Sequence, residues 1–379
     1  MPKLFVLKNF VDLGIKKDFV KGLSELGIKE PSKIQEEVIP ILLEGNVDLV
    51  GQAQTGTGKT AAFGLPLLQS INPNSDHIQG LVLCPTRELG KQIAKQLFRY
   101  TKYSDKIFTE AVYGGEHIEK QLSRLSRTTH IIVATPGRLI DLVKKDAIDL
   151  SQVNTLILDE ADEMLSMGFK KDLEEILSFS ANVKNKWLFS ATIPADIEKM
   201  ISTYLAPNAV RLSMSSKNLV NEQINHQYLV CEPEEKLHIL MQFLNTERDN
   251  RGVVFCKTKN TTKTLTKQLI AKNIKADAIH GDLLQKERDK VMRAFKNEKV
   301  QILVATDVAA RGIDVKGLNY VVHFELPQDE EYYTHRSGRT ARAGKNGTSL
   351  CIVTHAESKQ LKYYEKNLGI KFTRIQKVR

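Results

Sequence analysis

A glycine-rich segment in the first part of the chain has the residue types that bind phosphate. It runs from Ala53 to Thr60 (AQTGTGKT), between a short apolar run and a helix-like stretch, and matches the pattern GxxxxGK(S/T) except for alanine at the first position. Its glycines let backbone N–H groups turn toward phosphate oxygens, Lys59 can reach the terminal phosphates, and the Thr60 hydroxyl can ligate Mg²⁺. The residues predicted to contact the nucleotide or its metal are Gln54, Thr55, Gly56, Thr57, Gly58, Lys59 and Thr60.

Acidic residues follow another apolar run further along the chain. Leu156–Leu158 lead directly into Asp159-Glu160-Ala161-Asp162. A carboxylate at the tip of a buried strand is costly unless it meets a partner, and Mg²⁺ on the phosphates would be such a partner for Asp159. Glu160 is placed to orient and polarise an attacking water. Alone, these residues would only cap the next helix; together with the phosphate-binding loop they indicate nucleotide hydrolysis.

These side chains require a scaffold of parallel strands. Short β-branched runs alternate with helical patterns over almost the whole chain, which is typical of βαβ units and predicts an α/β fold with parallel sheets. Ligands of such sheets gather at the carboxyl ends of the strands. The predicted strands are Val47–Gly51, Gly80–Cys84, His130–Ala134, Thr155–Leu158, Lys186–Phe189, Gly252–Cys256, Asp277–Ile279, Gln301–Ala305, Tyr320–Phe324 and Thr348–Val353.

The pattern divides into two domains. A chain of 379 residues exceeds the usual size of one core, and its 41% hydrophobic and 26% charged residues are typical of globular proteins. The polar stretch 212–222 (LSMSSKNLVNE) lacks periodicity and is predicted to be a linker, with an ordinary surface loop as the alternative. We therefore expect one domain at residues 1–211 and a second at 223–379.

Net charge, apolar runs and cysteine content bear on the binding partner and the cellular compartment of the protein. A net charge of +10 permits a polyanionic partner without demanding one. The basic final segment, residues 359–379, could contact phosphates, but its composition favours a solvated helix face. No run of 18 apolar residues or signal-like segment occurs, so we expect no membrane association. Four widely spaced cysteines, three of them in apolar runs, favour a reducing compartment, and we predict a cytoplasmic protein.

Polar and glycine residues follow most of the other strands. Thr135 and Pro136 have the N-cap and N1 positions of a helix, which leaves free N–H groups for a phosphate. Asp282 and Gln285 have the spacing of a capping pair. None of these segments contains an aromatic residue for base stacking, so they suit a nucleic-acid backbone read without sequence preference, although they do not separate RNA from single-stranded DNA. The candidate contacts are Pro85, Thr86, Arg87, Gly115, Thr135, Pro136, Gly137, Arg138, Gly281 and Thr306.

Taken together, these motifs resemble those of the DEAD-box ATP-dependent RNA helicases, a family of superfamily 2. The resemblance extends from Phe10 to about Gly344 and is most similar in style to the bacterial cold-shock and general RNA-remodelling members. It implies two tandem RecA-like domains, ATP and Mg²⁺ as cofactors, and RNA rather than DNA as the partner. It also implies local unwinding of short RNA duplexes, driven by closure of the two domains on ATP, by a monomer.

The resemblance assigns further nucleotide contacts. Gly27-Ile28, Pro31 and Ile34-Gln35 resemble the family's Q motif, in which Gln35 would pair with the adenine edge while Phe10 stacks on the base. The residues alone favour a surface helix position for Gln35 and a core position for Phe10. Arg311 would assist near the γ-phosphate, and Asp314 would meet the ribose.

Catalytic and coupling roles in the second half also come from the resemblance. Arg339 and Arg342 in HRSGRTAR correspond to the fingers that reach the γ-phosphate, and His335 would contact the acidic motif. A solvated basic helix is the alternative. The hydroxyls of Ser190-Ala191-Thr192 would couple the acidic motif to the second domain, although Thr192 also suits a helix cap.

Other functions remain open at the level of sequence. An ATP-gated RNA clamp with little unwinding would use the same motifs, whereas a P-loop transporter or GTPase is disfavoured by the Q motif and the paired arginines. The chain departs from the family pattern at Gly90, Ser337 and Ala341, where alanine, isoleucine and glycine are usual. The methyl group of Ala341 puts the geometry of the adjacent fingers in question.

Overall fold

The chain folds into two α/β units. The computed structural model describes residues 9–54, 56–179, 183–214, 223–310, 318–341 and 346–376. The units comprise Met1–Met214 and Ser215–Arg379. Within the described residues each unit contains one seven-stranded sheet whose paired strands all run parallel. The predicted α/β class with two parallel sheets is confirmed.

The first unit alternates strands with helices, and its sheet has the order β3-β4-β2-β5-β6-β1-β7. The strands are β1 (Leu49–Gln52), β2 (Gly80–Leu83), β3 (Thr109–Val112), β4 (Ile131–Ala134), β5 (Thr155–Asp159), β6 (Asn185–Ser190) and β7 (Val210–Ser213). The helices are α1 (Lys17–Glu25), α2 (Lys33–Glu44), α3 (Lys59–Ser70), α4 (Arg87–Tyr100), α5 (Ile118–Leu125), α6 (Pro136–Val143), α7 (Ala161–Ser166), α8 (Lys170–Phe179) and α9 (Ala195–Tyr204).

Both faces of the central part of this sheet are buried, which explains why strands such as β2 and β4 are continuously apolar. Successive residues of a strand point to opposite faces. In β4, Ile131 and Val133 join the hydrophobic cluster that also contains Phe63 and Leu97, whereas Ile132 joins the cluster on the other face with Leu139. The strands are thereby held rigidly between two helical layers, and their carboxyl ends become fixed positions for functional side chains.

The second unit repeats this architecture with the sheet order β10-β11-β9-β12-β13-β8-β14. The strands are β8 (Ile224–Val230), β9 (Gly252–Cys256), β10 (Ala276–Ile279), β11 (Ile302–Thr306), β12 (Tyr320–His323), β13 (Gly347–Val353) and β14 (Thr373–Arg374). The helices are α10 (Lys236–Thr246), α11 (Lys259–Ala271), α12 (Gln285–Lys296), α13 (Asp307–Ala310), α14 (Glu330–Ser337) and α15 (Ser358–Leu368), with a 3₁₀ turn at Pro233–Glu235.

Local details differ from the sequence-based expectations at two places. The expected linker begins inside β7, whose Leu212 and Ser213 pair with β1, so the first unit extends to Met214 instead of ending at residue 211. The expected capping pair of Asp282 with Gln285 is not formed: Leu284 is the N-cap of α12, and its N–H donates to the Glu287 carboxylate at 2.7 Å. Among the described helices, none combines the length and apolar character needed to cross a bilayer.

Candidate nucleotide and RNA sites

The candidate residues divide between the two halves of the first sheet. The acidic motif follows β5, the segment Ser190–Thr192 follows β6, and the phosphate-binding loop follows β1, and these three strands are neighbours. The candidate RNA motifs follow β3, β4 and β2, which are also neighbours. Because all strands are parallel, both groups lie along one carboxyl edge, the nucleotide group on one half and the RNA group on the other.

The phosphate-binding loop has a closed conformation stabilised by its own side chains. The Lys59 ammonium is buried and donates to the Ala53 carbonyl at 2.7 Å, and Thr57 Oγ1 donates to the Gln54 carbonyl at 2.8 Å. Gly58 has φ = +100°, and a Cβ at this position would collide with the Gln35 side-chain amide. Glycine is therefore required here both by the left-handed backbone and by the close approach of α2.

Gln35 and Phe10, the two residues of the Q motif assigned to the adenine, are both buried in the first unit. The Gln35 amide is buried: its oxygen accepts from the Ser32 N–H at 2.9 Å, and its nitrogen donates to the Gly58 carbonyl at 3.0 Å. Gln35 thus ties α2 to the phosphate-binding loop, and its contact with the adenine edge stays a prediction. The Phe10 ring is 1% exposed within the hydrophobic core, the position that the residues alone favour, and its stacking on the base stays a prediction.

Asp159 is a buried carboxylate whose environment suits a metal ligand. It is 3% exposed, and its Oδ1 has no hydrogen-bond donor among the described residues. Burial raises the pKa of Asp159 to about 7; the Lys59 charge opposes this change and Glu160 reinforces it. An unsatisfied buried carboxylate oxygen beside a phosphate-binding loop fits Mg²⁺, which prefers such oxygen ligands. Asp159 and Thr60 are the residues that would hold the ion.

The rest of the acidic motif is held by the end of β6. Glu160 has φ = +55°, a left-handed conformation that is uncommon for residues other than glycine and concentrates at functional sites. Asp162 Oδ2 accepts from the Thr192 N–H and hydroxyl, each at 2.9 Å, and from the Ala191 N–H at 3.2 Å. Ser190 Oγ accepts from the Asp162 N–H at 3.2 Å. Asp162, absent from the sequence-derived set of site residues, therefore anchors Ser190-Ala191-Thr192 to the acidic motif within the first unit.

The RNA half of the edge presents two helix N-termini. Thr86 caps α4 and accepts from the Leu89 N–H at 3.3 Å, and Pro85 precedes it. Thr135 is the N-cap of α6, with Pro136 at N1, but its side chain forms no capping hydrogen bond. Both helices thus direct N–H groups and positive dipole ends toward the carboxyl edge, an arrangement that binds phosphate.

Charged side chains fix the loop that follows β3. Arg124 pairs with Glu116 at 2.7 Å and with Glu110 at 2.5 Å, and Arg138 donates to the Glu116 carbonyl at 3.2 Å. Arg138 therefore connects α6 to the loop that contains Gly115. Gly137, in the first turn of α6, has ordinary space around it, since an added Cβ would only touch the Asp172 carboxylate at 3.7 Å.

We expect Gly115→Ala to weaken RNA binding about tenfold. A left-handed backbone costs alanine roughly 1–2 kcal/mol, and the added methyl would displace the side chain of Arg87, one of the candidate RNA contacts. Gly115 has φ = +83°, and an added Cβ would collide with the Arg87 guanidinium. Fluorescence anisotropy with a labelled single-stranded RNA measures the effect. Gly114→Ala is the matched control, because nothing lies within 4 Å of its added Cβ and its φ is not positive. Equal affinities of the two variants would contradict the placement of RNA over Gly115.

The second sheet has a comparable group of strand ends. Gly281 follows β10, Thr306 ends β11, and Thr258 follows β9, which makes them neighbours along one edge. Thr258 caps α11 and accepts from the Thr261 N–H at 3.0 Å. Sequence reasoning missed Thr258, although a threonine two residues after the predicted strand Gly252–Cys256 was the available signal. Asp282 binds Lys259 at 2.5 Å and Lys263 at 2.9 Å, so it orients two cations beside Gly281.

The candidate finger segment follows α14. His335 lies in the last turn of this helix, and Arg339 is 8% exposed with its Nε donating to the His335 carbonyl at 3.3 Å. Ala341 has φ = +52°, so alanine occupies a left-handed position that glycine adopts without cost. Four other predicted contacts, Thr55, Arg311, Asp314 and Arg342, lie outside the described residues.

The two sheets and these strand-end motifs define a two-domain, nucleotide-dependent helicase. Family models described as DEAD/DEAH box helicase and Helicase conserved C-terminal domain match residues 32–200 and 235–344. The chain belongs to the DEAD-box family of ATP-dependent RNA helicases, as the motifs predicted, and it is an enzyme of that family.

Individual relatives agree with this assignment. The chain is 40% identical over 369 residues to the DEAD-box ATP-dependent RNA helicase CshA of Bacillus cereus, which covers 97% of this chain and 70% of the relative. Among solved structures it is similar to S. cerevisiae Dbp5 bound to RNA and ADP BeF3, with a TM-score of 0.90 and 30% identity over 97% of this chain and 95% of that one. Mss116p bound to ssRNA and AMP-PNP gives a TM-score of 0.87 and 26% identity over 98% of this chain and 80% of that one. The RecA-like character of the two sheets is thereby confirmed.

Proposed function

We propose that this helicase separates short RNA duplexes locally and without strong sequence specificity, using Mg²⁺ and ATP. The observation that carries the proposal is the division of the first sheet's carboxyl edge. The nucleotide motifs lie at the carboxyl ends of β5, β6 and β1, and the motifs suited to an RNA backbone lie at those of β3, β4 and β2. One rigid sheet can therefore hold both ligands at once.

The nucleotide half supports hydrolysis. Lys59 would exchange the Ala53 carbonyl for the terminal phosphates, and Asp159 and Thr60 would hold Mg²⁺, which supplies charge neutralisation on those phosphates when bound. Glu160 would orient and polarise the attacking water. In this proposal Arg339 and Arg342 complete the charge stabilisation, His335 assists through the acidic motif, and Arg311 and Asp314 meet the nucleotide.

The RNA half supports recognition of the backbone rather than the bases. Its donors are helix N-termini and glycine-rich turns, including those at Thr86, Thr135 and Gly115, which suit phosphates. Contacts with phosphate and the 2′-hydroxyl carry little sequence information. We therefore expect several RNA sequences to bind with similar affinity, and RNA to be preferred over DNA.

ATP hydrolysis in the presence of RNA or DNA oligonucleotides of one sequence tests the preference for RNA. We expect RNA to stimulate turnover well above the DNA oligonucleotide, because only RNA offers a 2′-hydroxyl at each backbone contact. Several RNA sequences of one length should stimulate to a similar degree. Equal stimulation by RNA and DNA would refute the RNA assignment.

A strand-release assay separates unwinding from the alternative of an ATP-gated clamp. A short fluorescent RNA duplex should lose its labelled strand only when ATP is present. ATP-dependent binding without strand release would favour the clamp.

The setting of the enzyme is part of the proposal. All four cysteines are buried free thiols, which suits a reducing compartment such as the cytoplasm. We further propose that the chain acts as a monomer, which sedimentation of the purified protein would test.

A further inference from the structure

The finger segment rests on a polar surface. Tyr333, Arg336 and Ser337, spaced along one face of α14, are each at most 2% exposed, and they face the second sheet. Their partners come from three strands: His226 on β8, His323 on β12 and Ser349 on β13, all buried. This cluster of Tyr333, Arg336, Ser337, His226, His323 and Ser349 is called the polar base below. Ser337 stands where the family usually has an apolar side chain.

Hydrogen bonds connect the side chains of the polar base into one network. Arg336 Nη1 contacts His323 Nδ1 at 3.5 Å, and His323 Nε2 contacts Ser349 Oγ at 3.1 Å. Ser349 Oγ lies 3.2 Å from the Tyr333 hydroxyl and 2.9 Å from Ser337 Oγ. The Tyr333 hydroxyl lies 2.5 Å from His226 Nδ1.

Arg336 determines which atoms donate and which accept in this network. A guanidinium only donates, so His323 Nδ1 accepts and the ring proton lies on Nε2, which donates to Ser349. The Ser349 hydroxyl is then free to donate to Tyr333, and the Tyr333 hydroxyl donates to His226. These hydrogen bonds require both histidines to be neutral. Burial favours the neutral form, since it lowers the pKa of His226 to about 4 and that of His323 well below its usual range.

The same arginine connects the polar base to the finger. Its Nε and Nη2 bind Asp307 at 2.5 and 2.7 Å, and Nη1 donates to the Glu325 carbonyl at 2.8 Å. The Arg339 N–H donates to the Arg336 carbonyl at 3.1 Å, and Arg339 Nε donates to the His335 carbonyl. The orientation of α14 therefore determines the position from which the Arg339 side chain extends.

We propose that the polar base is a positioning device that fixes the rotation of α14 and thereby aims Arg339. Apolar side chains would bury α14 equally well, but they tolerate small rotations and slides, whereas directional hydrogen bonds to three strands favour one setting. Tyr333, Ser337, Ser349, His226 and His323 are thus positioning residues that act through Arg339. The inference rests on the proposed role of Arg339 in hydrolysis.

Removal of one hydroxyl tests this positioning. Tyr333→Phe should lower kcat of RNA-stimulated ATP hydrolysis about tenfold, since small displacements of a catalytic group are costly, while KM for ATP stays nearly constant. In an Arg339→Ala background the same change should have no further effect on kcat. Ser349→Ala should behave like Tyr333→Phe, and Ser349→Thr, which keeps the hydroxyl, should retain most of the activity.

Tyr364→Phe is the matched control. Tyr364 belongs to the same core, 5.4 Å from the Tyr333 ring, but its hydroxyl bonds the Pro327 carbonyl instead of the polar base. Equal kcat values for the two phenylalanine variants would overturn the inference, as would additive losses with Arg339→Ala.

Amide hydrogen exchange gives a readout that does not need activity. Tyr333→Phe should accelerate exchange at the Arg339 and Thr340 amides about tenfold relative to Tyr364→Phe, because local opening of the finger turn becomes easier. Unchanged exchange would overturn the inference even if wild-type protein showed no RNA-stimulated hydrolysis. The latter result would by itself contradict only the proposed function.

Discussion

Glu160→Gln should reduce kcat for ATP hydrolysis by a factor on the order of 10²–10⁴, the usual contribution of a positioned general base. The carboxylate follows the buried end of β5 and is held by an unusual left-handed backbone, φ = +55°. Glutamine fits the same backbone and volume, so the loop should keep its shape. ATP affinity should therefore persist while turnover collapses, as equilibrium binding and steady-state hydrolysis would show together.

Glu163→Gln is the matched control for this change. Glu163 lies in the same helix, α7, and is also buried, but its carboxylate contacts Ser166 at 3.4 Å within that helix. We expect it to leave kcat nearly unchanged. Full hydrolysis by the Glu160→Gln variant would exclude Glu160 as the residue that activates water.

Arg339→Ala should lower kcat by a factor on the order of 10³–10⁵, the range for an arginine that stabilises charge on a transferred phosphoryl group. Arg339→Lys should recover little, because an ammonium lacks the planar fork of donors. Binding of RNA without nucleotide should be unaffected, since the proposed target of Arg339 is the γ-phosphate. Stopped-flow measurement of a single turnover separates this step from product release.

Arg293→Ala controls for the loss of one positive charge from the second unit. Arg293 lies on α12, and its Nε donates to the Asp289 carbonyl one turn earlier, at 3.3 Å. The control should retain full turnover. Comparable losses in the two variants would show that Arg339 acts through general electrostatics rather than through contact.

The central strands of both sheets could be predicted from sequence because burial on both faces makes them continuously apolar. Two partly buried strands could not: β3 (TEAV) and β8 (INHQYLV) carry polar residues and lack a continuous apolar run. Most strand-end motifs were recognisable because they follow a predicted strand, whereas Gly115 follows β3, which was not predicted.

Contacts between distant side chains were beyond sequence reasoning. The buried position of Gln35 depends on how α2 packs against the phosphate-binding loop, which no local pattern describes, whereas the core position of Phe10 was expected from the residues alone. The anchoring of Thr192 by Asp162 and the partners of Ser337 likewise join residues far apart in the chain. Their residue types were visible, but the fold decides which of them meet.

The division of the first sheet's edge also sets the shortest route for communication between its ligands. The RNA half and the nucleotide half adjoin where β2 pairs with β5, with Leu83 opposite Leu158. Cys84 and Asp159, the next residues of each strand, are thus one strand spacing apart, about 4.8 Å. In the proposed arrangement, RNA at Pro85–Arg87 and Mg²⁺ at Asp159 would lie at the ends of two directly paired strands, so we expect a small displacement of one loop to reach the other without any change in the fold.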